Sequence, residues 1–358
     1  MSLNVAIIGA GNIGRKRAAV ISNFSGCCLK VISDIDTNRV ERLAREYGGE
    51  IETNWKRALT RSEIDVVVAA TINKLLLPVS IMALKRGKHV LCEKPLGRNA
   101  KESKRIVEAI NTSGAILKGG FNHRHHPAIS EAKRLADEGE IGNIYYIRCI
   151  YGHGGRPGYE KEWRASKDLC GGGELLDQGV HVVDLFRWFL GEFDEAFGKI
   201  NTYYWNMEVE DNAFAIFRTK KGQMAMMHTS WTQWKNKFLF EIFGEKGYLI
   251  VDGLGGSYGI EKLIIGKRKR EKTEEYLGES LKEGNQDKSK GYLGGPPDEE
   301  ILEFLGPDTS WEEEWKEFIS AIQEHREPLG SGHDGLMANR MIEAVYKSAR
   351  LNRPVKII

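Results

Sequence analysis

The chain has 358 residues, 41% hydrophobic and 28% charged, which is enough for two domains that each bury their own core. Its 52 basic and 50 acidic side chains give a formal net charge of +2, which excludes the broad positive field of a nucleic-acid-binding protein. With no apolar run near the roughly 20 residues of a membrane helix, no signal-peptide pattern and an odd five cysteines, the chain is expected in the cytoplasm.

The first predicted element is an apolar β-type run, Asn4–Gly9, that enters GAGNIGRKRA without a polar loop. This places three glycines in a G-x-G-x-x-G pattern at a strand-to-helix turn. The first glycine permits the tight turn, the second lets the backbone approach a pyrophosphate, and the third lets the helix pack on the strand. The turn therefore predicts a dinucleotide site whose contacts are Gly9, Gly11, Asn12, Ile13 and Gly14.

The next apolar run, CLKVIS, ends at Asp34, twenty residues after the last glycine of the turn. A carboxylate at this position would accept hydrogen bonds from ribose hydroxyls and repel a 2′-phosphate, which favours NAD over NADP. NADP stays open as the less favoured cofactor, because Arg39 lies just past the strand and an arginine can pair with that phosphate.

Helical and strand-like runs then alternate over about the first third of the chain. DTNRVERLAREYG is predicted as a helix, DVVVAAT as a strand, PVSIMALKRG as a helix that ends at Gly87, and HVLCE as a strand. NAKESKRIVEAINTSG follows as a helix with Asn99 and Glu102 forming its N-terminal cap, and AILKGG as a strand. This alternation predicts an α/β Rossmann domain, a doubly wound parallel sheet, over residues 1–122.

Polar residues follow two of these strands, where ligands of such sheets bind. The fourth strand is predicted to end at Thr71 and Asn73, and the fifth at Glu93 and Lys94. Pro95 restricts the backbone of Lys94 to extended conformations and so fixes where its side chain points. Thr71, Asn73, Glu93 and Lys94 are therefore predicted to contact the cofactor.

From about His123 the pattern changes to an opening helix, PAISEAKRLADEG, and several strand-like runs separated by hairpin-like breaks such as TKKG and GEKG. Residues 123–358 are therefore predicted to form an α+β domain with a large open, mainly antiparallel sheet. Residues 267–297 are expected to form a solvated loop. Two helices, SWEEEWKEFISAIQE and GLMANRMIEAVYKSARL, are predicted near the C-terminus.

Residues 171–191, GGGELLDQGVHVVDLFRWFLG, are predicted as a flexible glycine turn that leads into one buried helix. Asp177, His181 and Asp184 recur at i, i+4 and i+7, which places them on one helical face. Asp177 and His181 can contact each other or converge on a ligand. A buried hydrogen-bonded pair without a catalytic task is the alternative. Asp184 is expected to anchor the structure through Arg187.

The loop upstream of that helix, YGHGGRPGYEKEWRA, combines arginines with aromatic residues. Arginine forks suit phosphates or carboxylates, and aromatic faces suit sugar or base rings. The loop is therefore predicted to bind a sugar, with a nucleotide sugar or sugar acid among the candidates, through Arg156, Tyr159, Trp163 and Arg164. An ordinary solvated loop is the alternative. NHRHHP is not expected to bind a metal, because His123 and His125 would share one strand face and His126 the other.

Several separated stretches together resemble the glucose–fructose oxidoreductase, inositol dehydrogenase and MocA (Gfo/Idh/MocA) family. They are GAGNIGRKRA, the strand that ends at Asp34, GKHVLCEKPL, GGFNHRHHPA, GGGELLDQGVHVVDL and GLMANRMIEAVYKSARLNRPV. The resemblance implies that Lys94, Asp177 and His181 are catalytic, that the peptide bond before Pro95 is cis, and that Arg124 lies near the substrate. The family's T-P-N-x-x-H pattern is TINKLL here, so its histidine is absent.

The residues so identified suit the oxidation of a secondary alcohol. Histidine titrates near neutrality and is a natural base, so His181 would take the hydroxyl proton while a hydride passes to the nicotinamide. Lys94 would orient the hydroxyl and favour alkoxide character, and Asp177 would bind a neighbouring hydroxyl or tune the other two groups. The sequence therefore predicts an NAD(P)-dependent oxidoreductase acting on a sugar, nucleotide sugar or cyclitol. An NAD-dependent glycoside hydrolase and a non-catalytic NAD(P)-binding regulator are the alternatives.

The resemblance also implies a homodimer or homotetramer, because the outer face of the C-terminal sheet commonly forms the subunit interface in this family. A set of large apolar residues in the strand-like runs would suit such a face, although core packing explains the same residues about as well. The set consists of Trp205, Phe214, Phe217, Met226 and Trp231.

Overall fold

The structure is a computed structural model that describes residues 2–110, 113–268 and 298–358. Residues 269–297, most of the loop predicted over 267–297, therefore lie outside the described residues, and Lys267 ends a strand. In the described part of the chain, no helix is both long and apolar enough to cross a membrane.

The first sheet has six parallel strands within the described residues, in the order β3-β2-β1-β4-β5-β6. Its strands are β1 (Leu3–Ile8), β2 (Cys27–Ser33), β3 (Glu50–Glu52), β4 (Val66–Ala69), β5 (His89–Glu93) and β6 (Leu117–Gly120). The helices between them are α1 (Asn12–Asn23), α2 (Thr37–Tyr47), α3 (Trp55–Thr60), α4 (Asn73–Leu84) and α5 (Ala100–Glu108). This arrangement confirms the predicted doubly wound α/β domain. The strand order reverses between β1 and β4, beside the glycine-rich turn, and this is where such sheets bind their ligands.

Two predicted boundaries in this domain are wrong. The fourth strand ends at Ala69, and α4 already begins at Asn73, so Pro78 lies inside the helix, which ends at Leu84. The short β3 and the helix α3 were not predicted. The predicted cap of α5 is confirmed, because the Asn99 side chain accepts a hydrogen bond from the Glu102 backbone N–H.

The second sheet has nine strands within the described residues, in the order β14-β13-β12-β11-β7-β10-β9-β8-β15. Only β7 and β10 pair in parallel, which confirms a mainly antiparallel sheet. Its strands are β7 (Ile144–Gly152), β8 (Phe193–Asn201), β9 (Asn212–Thr219), β10 (Met224–Ser230), β11 (Lys237–Gly244), β12 (Gly247–Asp252), β13 (Glu261–Lys267), β14 (Asp298–Phe304) and β15 (Val355–Lys356). The helices of this half are α6 (Pro127–Asp137), α7 (Lys167–Cys170), α8 (Glu174–Asp177), α9 (Gly179–Leu190), α10 (Ser310–Gln323) and α11 (Gly332–Leu351).

A helix near the C-terminus, α10, packs against the first sheet. Trp315 and Phe318 of α10 are fully buried and belong to the same apolar cluster as Val5 and Ile7 of β1. The predicted division into residues 1–122 and 123–358 stays a prediction. Part of the apolar packing on the first sheet nevertheless comes from α10, which lies far beyond residue 122 in the sequence.

Only two of the five residues considered for a subunit interface lie on the outer face of the second sheet. Phe214 and Met226 are 44% and 48% exposed, whereas Phe217 and Trp231 are fully buried. Trp205 packs edge-to-face on Tyr159 and donates its indole N–H to the Trp231 carbonyl. For these three residues the core alternative is therefore confirmed.

Candidate active site

The glycine-rich turn between β1 and α1 is shaped by close backbone contacts. A Cβ atom on Gly9, whose φ is +110°, would lie 2.2 Å from the Ala70 carbonyl oxygen, and one on Gly14 would lie 1.9 Å from the Gly9 carbonyl oxygen. A Cβ on Gly11 would meet no described atom within 4 Å. The outer glycines therefore let β1, β4 and α1 pack, whereas the middle one leaves open space at the N-terminus of α1. This is the cradle that a pyrophosphate needs.

The first turn of α1 is available to such an anion. Gly11 is the N-cap residue and has no side chain to satisfy the first N–H groups, and no other cap is found among the described residues. Asn12 is exposed and Ile13 is half-buried in this turn. The predicted contacts of the turn thus lie together at the carboxyl edge of the parallel sheet.

Asp34 lies beside this turn, at the end of β2. Its Oδ2 atom accepts a 2.7 Å hydrogen bond from the Ala10 backbone N–H, and its Oδ1 atom accepts one of 3.0 Å from Asp36. The carboxylate is therefore held against the turn, where a ribose would lie. Arg39 forms a 3.0 Å ion pair with Asp36, so its charge is already compensated by a neighbouring carboxylate. Both contacts fit NAD better than NADP.

Two residues predicted to touch the cofactor also form hydrogen bonds within the protein, and their cofactor contacts stay predictions. The Asn73 amide donates to the Cys170 carbonyl oxygen at 2.8 Å, which connects α4 to α7. The Glu93 carboxylate accepts from Arg17 Nε at 2.7 Å, and the same buried guanidinium lies 2.6 Å from Glu314. Asn73 and Glu93 therefore position the elements around the site. Thr71 is half-buried, and its hydroxyl donates to the Ile72 carbonyl.

Lys94 lies at the end of β5 and meets Asp177 from the second domain. The Lys94–Pro95 peptide bond is cis, as the resemblance implied. The Nζ atom of Lys94 lies 2.9 Å from Asp177 Oδ1 and 2.6 Å from the Asp177 carbonyl oxygen. The positive charge and the side-chain hydrogen bond of Lys94, together with the charge of Arg164, hold the pKa of the half-buried Asp177 carboxyl below its usual value, although burial alone would raise it.

The predicted single helix over these residues is wrong, because it is interrupted at Gln178. Asp177 ends α8 and Gly179 begins α9, and the His181 backbone N–H donates to the Gln178 carbonyl. A carbonyl oxygen at the end of a helix lacks an intrahelical partner. The interruption thus presents the Asp177 carbonyl to Lys94, which a continuous helix would not do.

The three glycines before α8 form a tightly packed turn, so the predicted flexibility is also wrong. A Cβ on Gly172 would lie 2.2 Å from the Tyr346 hydroxyl oxygen, and one on Gly173 would lie 2.0 Å from the Glu210 carbonyl oxygen. The Glu210 Oε1 atom accepts hydrogen bonds from Gly173 N, Leu175 N and the Tyr346 hydroxyl. The Glu210 carboxylate therefore fixes the start of α8, the helix that ends with Asp177, against Tyr346.

His181 lies on the first turn of α9 and is only 4% exposed. Burial, followed by the charge of Lys94, lowers its pKa well below the usual value. The imidazole is therefore neutral at neutral pH and able to accept a proton. Its Nδ1 atom is enclosed and has no hydrogen-bond partner among the described residues. The ring is stacked on His123, with centroids 3.7 Å apart and an interplanar angle of 15°.

The upstream loop contributes one guanidinium to this cluster. Arg164 Nε donates to Asp177 Oδ2 at 3.2 Å, and its guanidinium lies 4.5 Å from the centroid of the half-buried Trp163 ring. Arg156 instead forms two hydrogen bonds with Glu162, of 2.7 and 2.6 Å. Tyr159 is 2% exposed and packs against Trp205 and Trp231, so its ring belongs to the apolar interior beneath the loop and is not open to a ligand.

The substrate contact predicted for Arg124 is not supported by its position. Its guanidinium donates to both oxygens of Asp184 at 2.7 and 2.6 Å, and the two side chains are 3% and 1% exposed. Asp184 is thus a structural anchor, as expected, but its partner is Arg124; Arg187 pairs with Glu192 and Asp334. Residues 122–125 form a 3-10 helix rather than a strand. No group of three or more possible metal ligands is found in the described part of the chain.

Two residues near the site were missed in the sequence. Glu174, three positions before Asp177, is fully buried, and neither of its carboxyl oxygens makes a hydrogen bond of normal geometry with the described residues. Burial, then the charge of Asp177, raises its pKa well above the usual value. His123 was considered only as a metal ligand. Glu174 falls at helical spacing from Asp177 and His181, which could have identified it, whereas the stacking of His123 depends on the tertiary structure.

Comparison with known proteins agrees with this geometry. A profile described as an oxidoreductase family with an NAD-binding Rossmann fold matches residues 3–121, and one described as a GFO/IDH/MocA C-terminal domain matches residues 129–250. The chain belongs to the Gfo/Idh/MocA oxidoreductase family. Its first domain is accordingly an NAD-binding Rossmann domain, as predicted.

Members of the Gfo/Idh/MocA family with assigned activities resemble the chain to different extents. A levoglucosan dehydrogenase of Pseudarthrobacter phenanthrenivorans is 31% identical over 232 residues, which are 62% of this chain and 60% of that enzyme. A myo-inositol 2-dehydrogenase of Thermotoga maritima is 25% identical over 98% or more of both chains. The solved structure of a levoglucosan dehydrogenase with NADH and levoglucosan has a TM-score of 0.85 and 24% identity over all of both chains. It shares the fold of this chain.

Proposed function

We propose that the chain is an NAD-dependent dehydrogenase that interconverts a secondary hydroxyl and a ketone on an uncharged sugar or cyclitol. The observation that carries this proposal is the cluster of Lys94, Asp177 and His181. The ammonium is bonded to the carboxylate, and its charge acts on the imidazole. The cluster lies at the carboxyl edge of the sheet, as does the glycine-rich turn. The names of the dehydrogenase relatives support the same reaction class.

Each member of the cluster has a distinct role in this proposal. Lys94 uses two of its three N–H donors on Asp177, which leaves the third for a substrate oxygen. A neutral His181 takes the hydroxyl proton during oxidation, and we assign that step to Nε2 because Nδ1 is enclosed. Asp177 holds Lys94 and Arg164 in place through its two oxygens. The bound nicotinamide would accept the hydride.

The charges of the upstream loop favour an uncharged substrate. Arg156 is paired with Glu162, and Arg164 is paired with Asp177 and lies 3.6 Å from Glu162. Both guanidinium groups are therefore compensated by protein carboxylates before any ligand binds. A nucleotide sugar or sugar acid would have to displace one of these pairs. A neutral sugar or cyclitol would need only hydrogen bonds to Lys94, Arg164 and Asp177.

A cofactor-reduction screen tests the proposal. The purified protein, checked spectroscopically for retained dinucleotide, is assayed with NAD⁺ and NADP⁺ against free sugars, inositols, sugar acids and nucleotide sugars. NADH formation with neutral sugars or cyclitols supports the proposal, and turnover of charged sugars alone overturns its substrate class. Release of free sugar from a glycoside without net NADH would identify the hydrolase alternative. Dinucleotide binding without turnover of any substrate would identify the regulator.

The subunit arrangement and location belong to the same proposal. Phe214, Ile216 and Met226 form an exposed apolar patch on the outer face of the second sheet, with exposures of 41–48%. Such a patch supports a homodimer or homotetramer formed through this face. Met226→Lys would then lower the molar mass measured by light scattering, whereas an unchanged mass would contradict the interface. A cytoplasmic location stays a prediction.

A further inference from the structure

The strongest unassigned feature is the imidazole that lies flat against His181. His123 is 6% exposed and belongs to the 3-10 helix Asn122–His125, directly after β6. Its ring is stacked on the His181 ring with 3.7 Å between centroids. Phe121 meets the His181 ring edge-on, with centroids 6.1 Å apart. His181 Nδ1 has no hydrogen-bond partner in the described chain, so these ring contacts, rather than a bond to that nitrogen, hold the imidazole.

Hydrogen bonds on one side fix which nitrogen of His123 carries its proton. The Ser310 hydroxyl donates to the Asp308 carboxylate at 2.6 Å and must therefore accept from the Asn122 amide nitrogen, 3.0 Å away. This orientation turns the Asn122 carbonyl oxygen toward His123 Nδ1, at 3.2 Å. Because that oxygen can only accept, Nδ1 is the protonated nitrogen.

On the other side, His123 Nε2 accepts a hydrogen bond from the Tyr151 hydroxyl, 3.1 Å away. The Tyr151 hydroxyl contacts that of Tyr258, which accepts from the Gln178 amide at 2.8 Å. Gln178 is the residue that interrupts the helix between Asp177 and His181. The donors thus run in one direction from Tyr151 through His123, Asn122 and Ser310 to Asp308, so His123 is a neutral ring whose proton lies on Nδ1.

We propose that His123 is a positioning residue that sets the plane of the His181 ring and, by staying uncharged, keeps that ring able to take a proton. This inference rests on the proposed function, because it assumes that His181 handles the substrate proton. The network does not act as a proton relay, since among the described residues none of its side-chain hydrogen bonds reaches the His181 ring. The flat ring of His123 supports the His181 ring by stacking, and the hydrogen bond from the Tyr151 hydroxyl favours the neutral form of His123.

Burial makes protonation of His123 unfavourable, and the groups around it add to this effect. The pKa of His123 is lowered well below its usual value, first by burial and then by charged or ionisable neighbours. Those neighbours are His181, His126, Lys94 and Lys16. A positive charge on His123 would in turn disfavour an imidazolium on His181. Losing the Tyr151 hydroxyl would remove a donor to the neutral form and so ease protonation of His123.

The experiment compares two substitutions of the ring with a matched control. His123→Leu removes the flat support and is expected to lower kcat by about 10- to 100-fold, since small misplacements of a catalytic group have effects of this size. His123→Phe keeps a flat ring and should retain most of the wild-type kcat. His125→Leu, in the same 3-10 helix, should change kcat little. NADH affinity by fluorescence and thermal unfolding verify that each variant is folded.

The pH profile separates positioning from a general structural role. In Tyr151→Phe, His123 can protonate more easily, so the acid limb of kcat/KM should move to higher pH. The double variant His123→Phe/Tyr151→Phe has no imidazole at position 123, so its acid limb should return to the wild-type position. A folded His123→Leu with wild-type kcat, a loss in His123→Phe equal to that in His123→Leu, or an unmoved acid limb in Tyr151→Phe would each overturn the inference.

Comparing His181→Ala with His123→Leu distinguishes a failure of the proposed function from a failure of the positioning role. If His181→Ala keeps turnover, His181 is not the base and both proposals fall. If His181→Ala abolishes turnover while a folded His123→Leu is fully active, only the positioning role of His123 is wrong.

Discussion

The Nζ atom of Lys94 lies 2.6 Å from the carbonyl oxygen of Asp177, a backbone oxygen that is presented to it by the interruption between α8 and α9. Together with the 2.9 Å contact to Asp177 Oδ1, this joins the end of a Rossmann strand to the second domain. The ammonium is therefore fixed by two acceptors of one residue. A substrate oxygen would complete its hydrogen bonding.

Lys94→Met should abolish turnover without loss of the cofactor site. The substitution removes the donor that stabilises alkoxide character, and removing such a group typically costs about 10²- to 10³-fold in kcat. NADH affinity should stay close to that of the wild type, because the glycine-rich turn and Asp34 are untouched. Lys104→Met, which removes an exposed lysine that lies 3.7 Å from Glu108, is the matched control and should be fully active. Full activity of Lys94→Met would rule out the proposed role.

The glycines of the turn should separate folding from binding. Gly9→Ala would place a methyl group 2.2 Å from the Ala70 carbonyl oxygen at a φ of +110°, so we expect a clear loss of thermal stability. Gly11→Ala would meet no described atom and should unfold at nearly the wild-type temperature. Its methyl group would nevertheless occupy the space needed by a pyrophosphate, so NADH affinity should fall. Undiminished NADH binding by Gly11→Ala would place the dinucleotide elsewhere.

Asp34 should control the choice between the two cofactors. Asp34→Asn removes the negative charge next to the ribose while keeping one side-chain oxygen, which can accept one of the two hydrogen bonds from Ala10 and Asp36. We expect the ratio of kcat/KM for NAD⁺ over NADP⁺ to fall by about tenfold or more, since 1.4 kcal/mol of lost repulsion has this effect. Arg39→Lys, which leaves a cation beside Asp36, is the control. An unchanged ratio in Asp34→Asn would contradict the assignment.

Glu174 should make the stability of the protein depend on pH. Its pKa is raised in the folded state by burial, so folding binds its proton more tightly than the unfolded chain does. The wild type should therefore lose stability as pH rises from the ordinary glutamate range toward neutrality and beyond. Glu174→Gln cannot ionise, so its melting temperature relative to the wild type should increase with pH. Parallel curves of melting temperature against pH would show that Glu174 does not hold a proton.

Much of this architecture follows from local sequence patterns. The glycine-rich turn, Asp34 and Lys94 all follow apolar runs, and parallel strands bring their carboxyl ends to one edge. Edge strands were harder to predict. β3 is three residues long, and β14 is mostly exposed, so neither shows a buried apolar pattern.

Several predicted site residues form contacts that the sequence could not reveal. Arg124, Asn73 and Glu93 were predicted to face ligands, but each is used by a partner distant in the sequence. Asp184, Cys170 and Arg17 are those partners, and no local pattern reveals such pairs. The interruption at Gln178 was also hidden, because the apolar periodicity continues through it. His181 was identified by its motif, whereas its support by His123 required the tertiary structure.

Lys94 and His181 are proposed to act on the same substrate hydroxyl beside a bound nicotinamide. The most direct measurement follows NADH formation and NADH binding in His181→Ala, with the neutral substrate that the screen identifies. Turnover should fall by about 10²-fold or more, in line with the loss of a general base, while the NADH dissociation constant stays unchanged. Turnover close to that of the wild type, or a loss of NADH binding as large as the loss of turnover, would contradict the proposed roles.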